Sequence, residues 1–73
     1  MKIVFTFYSS YFALKAEKAL KSVGISFETI PTPREFSSDC GVAICIDSKN
    51  KEASLAIFNN NNVEFEEIHV WNV

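Results

Sequence analysis

The spacing of hydrophobic residues changes several times along the chain, and each change marks an element. Lys2-Ile3-Val4-Phe5-Thr6-Phe7-Tyr8 is rich in β-branched and aromatic residues and predicts a strand. Beyond Ser9 and Ser10, either of which can cap a helix, Ala13, Ala16, Leu20 and Val23 recur at three- and four-residue steps, with Lys15, Lys18 and Lys21 off the stripe. That spacing predicts a helix over 10–23, ended by Gly24 in the position where a left-handed residue closes the last turn. Ser26 to Ile30 reads as a second strand closed by Pro31, and Gly41-Val42-Ala43-Ile44-Cys45-Ile46 as a third. Asp47 or Ser48 caps a second helix expected over 49–58, which Asn59-Asn60-Asn61-Asn62 stops, because asparagine tolerates left-handed and turn conformations. Glu64 to Val70 makes a fourth strand, with Phe65 and Ile68 out of alternation, so a late start or a bulge is expected.

The element order is therefore β-α-β-β-α-β. It carries an internal echo: Ile25-Ser26-Phe27-Glu28-Thr29-Ile30 matches Val63-Glu64-Phe65-Glu66-Glu67-Ile68, 38 positions later, each time just after a helix. Two β-α-β halves predict an α+β fold of the ferredoxin-like, split β-α-β kind: a four-stranded antiparallel sheet in the order 4-1-3-2, with both helices on one face. Strands 1 and 3, the most apolar, take the centre. With Ile3, Phe5 and Phe7 turned toward the helices, the other face carries Val4, Thr6, Tyr8, Ala43 and Cys45. Such a face is too apolar for full solvation, so pairing of two copies into a homodimer is expected.

Composition narrows the class. At 73 residues the chain is one domain, 1–73, and 48% hydrophobic residues can supply its core. Seven Lys+Arg stand against nine Asp+Glu, and three of the lysines lie on an outward helix face, so no clustered basic surface for nucleic acid is expected. No apolar run approaches the ~20 residues of a membrane span. Lys2-Ile3-Val4-Phe5 offers neither a basic leader nor a small-residue cleavage site, so the expected compartment is the cytoplasm. Cys40 and Cys45 sit too far apart in an extended segment to bridge, and two cysteines with one histidine, His69, do not make a zinc site. No metal and no bound cofactor are expected.

The segment that architecture alone does not explain is Pro31-Thr32-Pro33-Arg34-Glu35-Phe36-Ser37-Ser38-Asp39-Cys40. Antiparallel neighbours are usually joined by ~2–5 residues, and loops much longer than that tend to carry function. Strand 3 starts beside the end of strand 1, so Cys40 should lie near Tyr8, Ser9, Ser10 and the first N–H groups of helix 1, at least partly exposed, with Cys45 the more buried thiol and no bond between them. A helix N-terminus favours the thiolate, Arg34 adds a positive charge, and Asp39 opposes both. The plainer readings stand beside these. Cys45 is a small core residue, Cys40 is balanced between a working and a structural thiol, Ser9 and Ser10 are caps, and Arg34-Glu35 is a solvated turn pair. His69 has no evident acid-base partner, and Trp71 suits a sheet edge. No nucleophile-base pair or phosphate loop is visible, so a carrier or binding protein is expected rather than an enzyme.

The run Pro33-Arg34-Glu35-Phe36-Ser37-Ser38-Asp39-Cys40-Gly41, with the strand Lys2–Phe7 and the helix stretch Ala13–Lys21, resembles the selenium/sulfur carrier-like domain family over nearly the whole chain. The Pro-Arg…Ser-Ser-x-Cys-Gly motif carries the resemblance, which departs from the family pattern at Asp39, where small residues are commoner, and at Phe36, in place of an aliphatic. It implies that Cys40 holds sulfur or selenium as a persulfide or selenopersulfide. Arg34, Ser9, Ser10, Ser37, Ser38 and Gly41 would line the binding site, a cysteine desulfurase-type protein would be the donor, and a second protein the acceptor. The alternative from a different class is a non-catalytic interaction or ligand-sensing module that uses the open sheet face.

Overall fold

The computed structural model describes residues 1–36 and 40–72. Its elements run β1 (Lys2–Thr6), α1 (Ser10–Ser22), β2 (Glu28–Pro31), β3 (Val42–Asp47), a short 3-10 turn (Ser48–Asn50), α2 (Lys51–Asn60) and β4 (Glu67–Trp71). The fold is α+β, with one four-stranded sheet whose neighbouring strands are all antiparallel. The strands lie in the order β2-β3-β1-β4, which is 4-1-3-2 when counted from the β4 edge. The register centres on β1: Val4 lies opposite Cys45 on one side and His69 on the other, and Thr6 opposite Ala43 and Glu67.

Both helices close in the same way. Gly24 adopts φ +73, its N–H donates to the Lys21 carbonyl, and the Ile25 N–H reaches back to Leu20. Asn62 adopts φ +55, its N–H donates to Asn59, and the Val63 N–H reaches back to Phe58. This double bond pattern around one left-handed residue satisfies the last carbonyls of a helix and turns the chain toward the next strand. The two left-handed residues are 38 positions apart, so the sequence echo is an echo of helix ends as well as of strands. α2 starts two residues later than the spacing suggests, because Asp47 accepts a hydrogen bond from the Lys49 N–H and nucleates the 3-10 turn first. β4 starts late, at Glu67, and Phe65 ahead of it packs on the core instead of joining the ladder.

The helix-side core gathers Ile3, Phe5 and Phe7 with Ile44 and Ile46, under Ala13, Ala16, Ala19 and Leu20 of α1 and Phe58 of α2. Phe5 stands edge-on to both Phe58 and Phe65, at centroid distances of 5.0 and 5.1 Å, a favoured aromatic geometry. The other face differs from the sequence expectation. Val4, Thr6, Ala43 and Cys45 are all buried, because Ile30, Phe36 and Trp71 pack against the Val4–Ala43–Cys45 cluster. Of the residues assigned to an open face, only Tyr8 is exposed. Homodimerisation through that face therefore loses its premise: Phe36 of the β2–β3 loop, with Ile30 of β2 and Trp71 of β4, supplies the cover that a second copy was expected to give.

Candidate functional site

The long loop leaves β2 at Pro31 and returns at Val42. Its neck is closed by Thr32, whose N–H donates to the Gly41 carbonyl and whose hydroxyl donates to the Cys40 carbonyl, each at 3.0 Å. The sequence reading passed over Thr32; the period-two pairing of β2 with β3, carried one residue past Pro31, is the signal that finds it. Beyond the neck a tight turn closes with the Phe36 N–H donating to the Pro33 carbonyl at 3.0 Å, which leaves Arg34 and Glu35 exposed at its tip.

That turn throws Phe36 back onto the sheet. Its ring stacks on the His69 imidazole with centroids 4.0 Å apart and planes 7° from parallel, and meets Trp71 edge-on at 6.0 Å. His69 Nε2 lies 3.0 Å from a Glu67 carboxylate oxygen. Glu67, His69 and Trp71 alternate along β4 and so share one sheet face, which gives His69 an acidic partner two residues away and corrects the expectation that it has none. The Thr6 hydroxyl is buried in the same row and is satisfied by the Glu67 backbone, accepting from its N–H at 3.1 Å and donating to its carbonyl at 3.4 Å.

Cys40 follows the neck and Gly41 precedes β3. The β1–β3 register ends at the Thr6–Ala43 pair, so Cys40 and Gly41, just ahead of β3, lie at the sheet end from which the chain runs on into α1. Its exposure corrects the sequence expectation. Cys40 is 7% exposed and Cys45 5%, so the two cysteines, which share no disulfide, are almost equally buried. The Thr32 hydroxyl bond to the Cys40 carbonyl and the Thr32 N–H bond to the Gly41 carbonyl hold this stretch at the neck of the loop, rather than out on a polar tip. Gly41 is exposed, and a Cβ placed on it would meet nothing within 4 Å, so the chain is open to solvent immediately beside Cys40.

The remaining sequence-predicted residues scatter around this centre. Ser9 occupies the N-cap position of α1 in an extended conformation, but its side chain makes no capping bond, and no acidic residue stands in the first turn. Ser10 is the exposed first residue of that helix. Arg34 sits on the exposed turn. Ser37 and Ser38, together with Asp39, lie outside the described residues. Cys45 lines a cleft of about 280 Å³ at the other end of β3, with Lys2, Glu28, Asp47 and Lys49 around it. Burial pushes the Cys45 thiol above its ordinary pKa; the Lys2 ammonium opposes this and Glu28 adds to it. Cys45 is accordingly a protonated thiol near neutral pH. Among the described residues, no group of three or more His, Cys, Asp or Glu could hold a metal ion, and no helix is long and apolar enough to cross a membrane.

A family model described as "Putative Se/S carrier protein-like" matches residues 2–70, a span that includes the loop, Cys40 and Gly41. No curated protein and no solved structure matches the chain.

Proposed function

The chain belongs to the Se/S carrier protein-like family, and from that premise we propose that it carries one sulfur or selenium atom on Cys40, as a persulfide or selenopersulfide, and passes it to an acceptor protein. The observation that carries this reading is the family match, because it spans the loop that sets Cys40 beside the exposed, unobstructed Gly41. In the loading step the Cys40 thiolate attacks the terminal sulfur of a donor persulfide. The new S–S bond forms as the donor's own S–S bond breaks, and the donor cysteine leaves as a thiolate that takes up the proton Cys40 gave up. No net oxidation occurs, so no oxidant is required. In delivery, an acceptor nucleophile attacks the same terminal atom and Cys40 returns as the thiol. The proposed donor is a cysteine desulfurase-type protein and the proposed compartment the cytoplasm.

The site favours Cys40 over Cys45 for this work. Burial and Glu28 keep Cys45 protonated, and it stands inside a strand rather than beside an open glycine. The near-complete burial of Cys40 weighs against this reading, because loading requires the thiol to become accessible. The paired β-α-β halves, with their matching helix ends, support a ferredoxin-like relationship between β1-α1-β2 and β3-α2-β4. A second reading, a non-catalytic binding module in which Cys40 is structural, is favoured by the same burial. The two readings separate on one experiment: incubation with a cysteine desulfurase and cysteine, followed by intact mass. A carrier gains the mass of one sulfur atom, which Cys40→Ser abolishes and Cys45→Ser preserves; a binding module gains none.

A further inference from the structure

The outward face of α1 is the molecule's most concentrated unpartnered surface. Among the described residues, three of the six exposed large hydrophobic side chains, Tyr8, Tyr11 and Leu14, fall within seven consecutive positions and are 55%, 63% and 58% exposed. At roughly 100° per residue, Tyr11, Leu14, Lys18 and Lys21 share one side of the helix. The buried residues Ala13, Ala16, Ala19 and Leu20 take the opposite side. The charge on this helix is also one-sided. α1 holds three lysines against one glutamate, although the chain as a whole is formally −2. That glutamate, Glu17, is turned away to accept a hydrogen bond from the Thr29 hydroxyl. Lys15 is anchored by donating to the Asn62 carbonyl at 3.2 Å, and its ammonium lies 5.9 Å from the Tyr11 ring centroid. Lys18 and Lys21 remain exposed at the edge of the apolar patch. Tyrosine and leucine in the open, rimmed by one sign of charge, is the composition of a protein-binding surface rather than of a solvated helix face.

Its position gives the surface a purpose. Tyr8 follows β1 at the sheet end where Gly41 leads into β3, so the patch begins at the same end of the sheet as Cys40. We propose that Tyr8, Tyr11 and Leu14, with Lys18 and Lys21, form the docking face for the protein that delivers sulfur to Cys40, and that this protein presents an apolar seat with an acidic rim. The proposal rests on the carrier reading for the identity of the partner; the face itself rests on exposure and charge. Aromatic anchors at the centre would set the dissociation rate, and the lysine rim would steer the encounter and make it salt-dependent.

The test uses the full chain and a cysteine desulfurase as probe, with two readouts. Binding is measured by titration with the Cys40→Ser protein, which cannot accept sulfur. Loading is measured on proteins that keep Cys40, from the desulfurase and, separately, from inorganic polysulfide, which needs no docking face. Tyr11→Ser/Leu14→Ser should weaken desulfurase binding about tenfold or more. Lys18→Glu/Lys21→Glu should do likewise at low salt, with the difference from wild type shrinking as salt rises. Both variants should load from polysulfide at the wild-type rate, which also shows that they are folded. Desulfurase binding that is absent in the parent, or unchanged in both variants, overturns the docking face. Self-association of the parent that the same substitutions abolish also overturns it, by giving the face to a second copy. Binding lost in the variants while no protein gains sulfur from either source upholds the face and refutes the carrier reading alone.

Discussion

Phe36 links the loop to the sheet through a single ring. It lies flat on His69, meets Trp71 edge-on and packs on the Val4–Ala43–Cys45 cluster. Removing a half-buried aromatic of this kind should destabilise by about 1–3 kcal/mol, less than a fully buried phenylalanine. Phe36→Ala should therefore lower the urea midpoint and speed alkylation of Cys45 by a small native-state reagent, while Phe36→Leu recovers most of both. Cys45 makes a pH-dependent contribution of definite sign. Its folded pKa is raised, so its contribution is fully present below the unfolded thiol value, ~8.5, and is lost as pH rises toward the folded value. Denaturant titrations between neutral and alkaline pH should show that loss in the parent, and Cys45→Val should flatten it. Ser54 presents the opposite case: its hydroxyl is buried with no hydrogen-bond partner among the described residues. Ser54→Ala should stabilise by roughly the 1–3 kcal/mol of an unsatisfied buried polar group, read as a raised thermal midpoint. The residue scale is also where the sequence was least legible. Nothing in linear order says that Phe36 reaches across to His69, and Thr32 shows only once the β2–β3 register is known. Both depend on where a ten-residue loop lands, and the exposure of Cys40 was misjudged for that reason.

At the scale of elements, the helix ends were the most readable feature. Gly24 and the asparagine run were recognised from their tolerance of positive φ, a local steric property that survives any tertiary context. Strand limits were less readable. β1 stops at Thr6 although Phe7 and Tyr8 have strand character; Phe7 still packs in the helix-side core, and Tyr8 is exposed ahead of α1. The left-handed residues give a clean test. A Cβ on Gly24 would meet nothing within 4 Å, so any penalty of Gly24→Ala comes from backbone conformation alone and should be about 1 kcal/mol. Asn62→Ala should cost a similar amount and Asn62→Gly little or nothing, as read from thermal unfolding of the three proteins. Equal stabilities for Asn62→Ala and Asn62→Gly would contradict the assignment of Asn62 as the residue that closes α2.

For the whole molecule, the antiparallel α+β plan followed from the alternation of strand and helix periods and the 38-residue echo. What the pattern did not contain was the third layer. The sheet is covered on one side by two helices and on the other by Ile30, Phe36 and Trp71, so so short a chain buries both faces of its central strands without a second copy. Sedimentation at micromolar concentration should accordingly give the 8.2 kDa monomer. Cys40 is buried just ahead of β3, with the exposed Gly41 beside it in the chain. The account stands most directly on what Cys40 can accept. After incubation with a cysteine desulfurase and cysteine, fragmentation of the protein should place one added sulfur atom on Cys40, with the same addition in Cys45→Ser and none in Cys40→Ser. Sulfur found on Cys45, or a wild-type chain that gains none, would contradict it.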